Sequence, residues 1–205
     1  MAQGIGIVLE QRFTDRLIEL QSEVCSIFGL FPRQNSTTAL PHITLLQAPG
    51  EVDLGEGDRL ERCLKNALPA QCDTSVSLTD IFYKPQGWYF LRVRRDEWLV
   101  RCHEAAVREF EPNLLCASKS LKDMNGYSAS ERDNYARYGY RYIGNEWLPH
   151  VTIGRTNDGQ VAREATLFDY YSQRLLPAKS AAAVIAVYEI GPNGSYSRSV
   201  KELRL

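Results

Sequence analysis

Leu40-Pro41-His42-Ile43-Thr44-Leu45-Leu46 is the stretch on which the reading of the whole chain turns. His42, Thr44 and Leu46 alternate with Ile43 and Leu45, the two-residue period of a strand with one face toward a core. Pro41 stiffens the entry and favours extended backbone just before the histidine. The pattern returns at Leu148-Pro149-His150-Val151-Thr152-Ile153-Gly154-Arg155. His42 and His150 are two of the three histidines among 205 residues, and each has a threonine two positions on.

Working outward, each copy opens the same succession of elements. After His42, Asp58 with Glu61 reads as a capping box for a helix carrying Leu60, Leu64 and Leu68 and closed by Pro69. Strands over residues 76–83 and 88–94 follow, joined by the turn Lys84-Pro85-Gln86-Gly87. After His150, Asp158 reads as the cap of a helix running to about Phe168, and strands over 183–190 and 198–205 flank the turn Pro192-Asn193-Gly194. From His42 to Pro85 is 43 residues and from His150 to Pro192 is 42, the mark of a duplicated supersecondary unit. Repeat units of about 40–95 and 148–205 therefore sit inside one domain spanning 1–205. Two antiparallel sheets with flanking helices, packed as pseudo-symmetric lobes around a central cleft, give an α+β fold.

The remaining elements fill this frame. Residues 5–9 read as a buried strand, and Thr14 as the cap of a helix with Leu17, Leu20, Val24 and Ile27 on one stripe and Gly29 as its stop. A helix over about 97–110 carries Leu99, Cys102, Ala106 and Phe110, with His103 at the edge of its stripe and no threonine two residues on. Residues 117–137 are polar and aperiodic, a length of chain that in a compact domain is functional or mobile.

Composition narrows the possible partners. With 44% hydrophobic residues the chain is not disordered. The 24 Lys+Arg against 25 Asp+Glu argue against a protein held on duplex DNA by bulk charge, yet allow a local basic pocket for a nucleotide or an RNA end. No apolar run approaches the roughly 18–20 residues of a membrane span. Met1-Ala2-Gln3-Gly4 lacks the basic head and apolar stretch of a signal peptide, so a cytoplasmic monomer is expected. The five cysteines show no CxxC spacing, which indicates neither a disulfide framework nor a zinc cage.

The paired histidines point to acid–base chemistry. If the two strands face each other across the cleft, two imidazoles and two hydroxyls converge on one small volume. Imidazoles titrate near pH 6.5, so one ring can serve as base while the other, protonated, serves as acid. The hydroxyls of Thr44 and Thr152 can donate to non-bridging phosphate oxygens as charge builds there. Threonines are not zinc ligands, and this chemistry needs neither metal nor cofactor.

Two His-x-Thr motifs about a hundred residues apart, one in each half, resemble the 2H phosphoesterase superfamily, which includes RNA 2',3'-cyclic phosphodiesterases and 2'-5' RNA ligase-like proteins. The resemblance rests on His42-Ile43-Thr44-Leu45 and on His150-Val151-Thr152-Ile153-Gly154-Arg155, the second in the form His-x-Thr-x-x-Arg. It implies a bilobal fold and metal-independent chemistry at a cyclic or 2'-5' phosphodiester. It also implies catalytic work for His42 and His150, substrate contacts for Thr44 and Thr152, and a phosphate or structural contact for Arg155. The segment 117–137 departs from the family pattern and leaves the substrate open. The expected activity is hydrolysis of a 2',3'-cyclic or related nucleotide phosphodiester. Open beside it stand 2'-5' ligation as the reverse reaction, a non-catalytic nucleotide or RNA-end binding module, and action on a signalling oligonucleotide or cyclic ADP-ribose phosphate.

Side chains around the motifs supply secondary candidates. Tyr142 and Trp147, next to the second motif, are the aromatics expected to stack on a base. Arg92, Arg94 and Arg95 read as a solvated face, whereas Lys119, Lys122, Arg132, Arg137 and Arg141 could form a lid over a polyanion.

Overall fold

The computed structural model describes residues 1–50, 53–54, 58–68, 73–84, 87–117, 124–156 and 164–205. Pro69, Pro85, Gln86, Lys119, Lys122 and Asp158, each named above, and Cys72, one of the five cysteines, lie outside the described residues. Among the described residues, seven strands, β1 (Gln3–Leu9), β2 (Ile43–Ala48), β3 (Ser75–Lys84), β4 (Trp88–Val93), β5 (His150–Arg155), β6 (Ala178–Ile190) and β7 (Tyr196–Arg204), combine with five helices. The helices are α1 (Gln11–Phe28), α2 (Arg59–Ala67), α3 (Glu97–Cys116), α4 (Ala129–Tyr138) and α5 (Glu164–Arg174). The order β2-α2-β3-β4 is followed, after α3 and α4, by β5-α5-β6-β7.

All strand pairs are antiparallel, and the strands form one sheet in the order β1-β2-β5-β4-β3-β6-β7. Because β1 also pairs with β6, the first six strands close on themselves and β7 extends the sheet beyond β6. The two separate sheets expected from the sequence are thus joined. The link is narrow: β2 and β5 share the single pair Ile43↔Val151. Beside it, the Thr152 carbonyl accepts a hydrogen bond from the side chain of Gln34. The two motifs consequently lie side by side in one sheet rather than facing one another from two.

Local chemistry explains where the helices differ from their sequence reading. In α1, Leu17, Leu20 and Val24 are buried and Ile27 is exposed. Gly29 ends the helix in the left-handed region at φ 65, donating its N–H to Cys25 O. Thr14 does not cap it, since its hydroxyl donates back to Leu9 O from inside the first turn. Asp58 makes no side-chain cap on α2, whose Leu60, Cys63 and Leu64 face the core. α3 runs on through Pro112 to Cys116, six residues past the expected end. α4 lies within the stretch read as aperiodic. Its start is a reciprocal capping box, Ser128 accepting from Glu131 N while the Glu131 carboxylate accepts from Ser128 N. Among the described residues no helix is long and apolar enough to cross a membrane.

Candidate active site

The Ile43↔Val151 pair sets the geometry of the site. Carried one residue either way, that antiparallel register places His42 beside Thr152 and Thr44 beside His150, all four on one face. A cavity of about 400 Å³ opens over that face, and His42, Thr44, His150 and Thr152 all line it. Arg155 and Tyr142 line it as well.

Arg155 arrives there because β5 is bulged. Phe90 of β4 pairs with Thr152 while Tyr89 pairs with Gly154, so Ile153 is an extra residue. A bulge advances the alternation by one, and the third residue after the threonine returns to the cavity side instead of the second. The first motif repeats the device: Gly6 pairs with Thr44 and Ile5 with Leu46, leaving Leu45 extra. The residue carried to the cavity is then Gln47, which lines it and lies 3.5 Å from both the Tyr188 hydroxyl and Gly194 O. Sequence reasoning missed Gln47, although it stands at the same offset from His42 as Arg155 does from His150.

Both imidazoles are held the same way. His42 Nδ1 lies 2.8 Å from Leu40 O, and His150 Nδ1 lies 2.6 Å from Leu148 O. A carbonyl can only accept, so in each neutral ring Nδ1 carries the hydrogen and Nε2 carries the lone pair. His42 is packed among Tyr188 and Tyr196, at 4.9 and 5.6 Å between ring centroids. His150 sits 4.2 Å from Phe90 and 5.8 Å from Tyr142. Burial of this kind disfavours the imidazolium and pushes His42 down to about 4, against the opposing pull of its Leu40 hydrogen bond. Burial likewise pushes His150 down to about 4; the Leu148 carbonyl opposes it, and positive charge on His42, Arg141 and Lys84 adds to it.

Room for this packing comes from the first strand. A Cβ at Gly4 would stand 2.5 Å from the Tyr188 ring, and one at Gly6 would stand 3.3 Å from the His42 ring. Only bare backbone lets β1 pass beneath the aromatic wall that desolvates His42.

The two arginines have different surroundings. The Arg155 guanidinium lies over Phe31 at 5.2 Å and Trp88 at 5.6 Å, and its buried Nε has no hydrogen-bond partner among the described residues. Among those residues no carboxylate pairs with it. Arg141 also lines the cavity, held between Tyr127 and Tyr142. Of the other expected lid cations, Arg132 donates to Tyr127 O and Arg137 pairs with Glu111, so neither serves the cavity. Arg92 and Arg94 pair with Asp80 and Asp96, in keeping with a solvated face.

Trp147 does not reach the cavity, contrary to its reading as a stacking platform. The 3-10 turn Gly144–Glu146 directs it inward, where it is 1% exposed and stacks on His103 at 4.5 Å. Its indole Nε1 donates to Thr44 O at 3.1 Å. His103 is satisfied on both nitrogens, by Leu45 O and by Gly144 N. The pair therefore braces the backbone of β2 beneath Thr44. The tryptophan at the cavity is Trp88, paired with Phe90 in a stacked arrangement. Tyr142 is at the cavity but has Arg141 over its face at 4.4 Å, which leaves it poorly placed to stack on a base. Trp147→Phe should leave the Thr44 carbonyl without its donor and cost about 1–3 kcal/mol, read as a lower urea midpoint at unchanged m.

Among the described residues no group of three or more His, Cys, Asp or Glu is arranged to hold a metal ion. Of the described cysteines, Cys25, Cys63, Cys102 and Cys116 are thiols joined in no disulfide.

This architecture is shared along nearly its whole length with solved structures, a likeness of fold. Among solved structures, TT0787 of Thermus thermophilus is similar at a TM-score of 0.62 and 16% identity, covering 100% of this chain and 98% of that one. Escherichia coli LigT, solved in complex with NADP+, is similar at a TM-score of 0.50 and 13% identity, covering 99% of this chain and 96% of that one. At the level of sequence no family model matches the chain, and no curated protein matches it either.

Proposed function

We propose that the chain hydrolyses a 2',3'-cyclic or related nucleotide phosphodiester without a metal, with His42 and His150 as acid and base. The observation that carries this reading is the matched pair of imidazoles. Each is locked through Nδ1 to the carbonyl two residues before it, and each borders one cavity with a threonine beside it. With Nδ1 engaged on each ring, Nε2 is the atom left to take a proton on one histidine and, once protonated, to give one on the other.

In the step proposed, one histidine takes a proton from water as the water oxygen bonds to phosphorus. The bond from phosphorus to a ribose oxygen breaks, and the second histidine gives that oxygen its proton. Thr44 and Thr152 donate to the non-bridging oxygens, where each donor contributes about 3–4 kcal/mol of transition-state stabilisation in a dry site. Arg155, with no carboxylate partner among the described residues, neutralises the phosphate. Burial favours the uncharged form of both rings, so the anionic substrate itself must favour the one imidazolium the step needs. With a 5'-hydroxyl attacking in place of water and O3' leaving, the same groups would open the cyclic phosphate into a 2'-5' linkage, the reverse of cleaving such a linkage to a cyclic phosphate. Water in excess favours hydrolysis unless the cleft excludes it.

The test is a panel of 2',3'-cyclic nucleotides, 2'-5'-linked dinucleotides and cyclic ADP-ribose phosphate, assayed in EDTA with the product phosphate located on O2' or O3'. Turnover that persists in chelator supports the reading. Tight nucleotide binding with no turnover of any member would instead identify a binding module.

A further inference from the structure

The cavity holds a second cationic anchor that the hydrolytic step leaves unused. Arg141 follows α4, and only 13% of its side chain is exposed. Its guanidinium sits between two tyrosine faces, 4.3 Å from the Tyr127 ring centroid and 4.4 Å from that of Tyr142. Such a sandwich fixes the plane of the fork, the arrangement in which arginine binds a phosphate with two N–H donors. Nη1 is buried yet has no hydrogen-bond partner among the described residues. A buried donor left unmade is costly, which argues for a ligand that supplies the acceptor.

The charges around it point the same way. Glu131 is the carboxylate facing Arg141, at 3.9 Å, and it also faces Lys84 at 3.4 Å and is engaged by the cap of α4. One carboxylate between two cations leaves a net positive charge on this wall. Arg155, by contrast, packs on Phe31 and Trp88 and shares no ring with Arg141. The cavity thus presents two separate anion-binding points rather than one. Its volume of about 400 Å³ suits a ligand of nucleotide size or more.

We infer that Arg141 binds a second phosphate of the substrate, distinct from the one cleaved, so that the chain selects nucleotides carrying a 5'-phosphate besides the scissile group. This deepens the phosphodiesterase reading and rests on it. α4 and the residues following it then act as the element that sets specificity.

Titration calorimetry with product-like nucleotides tests the inference without relying on turnover. Adenosine 3',5'- and 2',5'-bisphosphate are compared with 3'-AMP and 2'-AMP. At least one bisphosphate is expected to bind tenfold or more tightly than its monophosphate. Arg141→Gln should erase that gain and change the monophosphate Kd less than threefold. Should the Gln variant fail to fold, Arg141→Lys, which keeps the charge and loses the fork, is expected to cut the gain at least threefold. Equal affinities within both pairs overturn the inference, and so does a folded variant that weakens mono- and bisphosphate alike or leaves the gain intact. The two readings fail differently. Selective bisphosphate binding without hydrolysis of any cyclic nucleotide overturns the enzyme alone, whereas hydrolysis indifferent to a 5'-phosphate overturns the Arg141 site alone.

Discussion

Replacing His42 or His150 by alanine is expected to lower kcat on a 2',3'-cyclic nucleotide by about 10²–10⁴-fold, the usual worth of one positioned proton transfer. The two rings act in one step, so the double variant should fall far less than the product of the single losses. Binding of a nucleotide monophosphate should survive in each single variant, because Thr44, Thr152 and Arg155 still line the cavity. Thr44→Val and Thr152→Val remove a hydroxyl at nearly constant volume and should each cost about 10²–10³-fold in kcat. The pH profiles add a sharper reading. With both rings held at about 4 in the free protein, kcat/KM should peak well on the acid side of 6.5. The peak in kcat should lie at higher pH, since the bound phosphate anion stabilises the imidazolium. A loss below tenfold in either alanine variant, at wild-type thermal stability, would remove that histidine from the chemistry.

Much of this site was legible in the sequence because its signal is local. Proline, a two-residue period and a repeated His-x-Thr suffice to set His42, Thr44, His150 and Thr152 on one face of two strands. The order of elements in each half was legible for the same reason, since turn residues and apolar stripes report on their own neighbourhoods. What escaped were long-range and phase effects. Nothing in either motif says that β2 and β5 pair with each other through Ile43 and Val151, so the motifs were placed on facing sheets. The bulges at Leu45 and Ile153 shift the alternation by one residue, which hides Gln47 from a strict period-two reading. Trp147 reads as a stacking aromatic because nothing local shows that the turn at Gly144–Glu146 swings it onto His103, a partner more than forty residues away. α4 escaped because its polar residues carry no apolar stripe; its one local sign was Ser128 followed three positions later by Glu131.

Stability itself should titrate with the site. His42, His103 and His150 are each pushed down to about 4 from an ordinary 6.5, burial being the leading cause in all three. In the unfolded chain these rings regain the ordinary value, so between pH 6.5 and 4 the unfolded state binds protons that the native state refuses. Where the unfolded state binds more protons, stability rises with pH. The contribution is therefore fully present above 6.5, shrinks as pH falls, and stops changing below about 4, where the native rings also protonate. Each ring adds a slope of roughly 1.4 kcal/mol per pH unit inside that window. Urea denaturation at intervals from pH 7.5 to 4 should show a steep loss, and a His150→Gln variant should show a slope shallower by about one proton. The carboxylate of Asp73, held at about 2 chiefly by hydrogen bonds from Ser75, loses its stabilising effect only at more acid pH and does not imitate this window. A phosphate ligand favours the imidazolium form at the cavity histidines but not at His103, which is 1% exposed and does not line the cavity. Added nucleotide monophosphate should thus stabilise the chain more at pH 5 than at pH 8. Stability that stays flat from pH 6.5 to 4 would mean that the rings are solvated in the native state, and the acid-shifted kcat/KM optimum would fall with it.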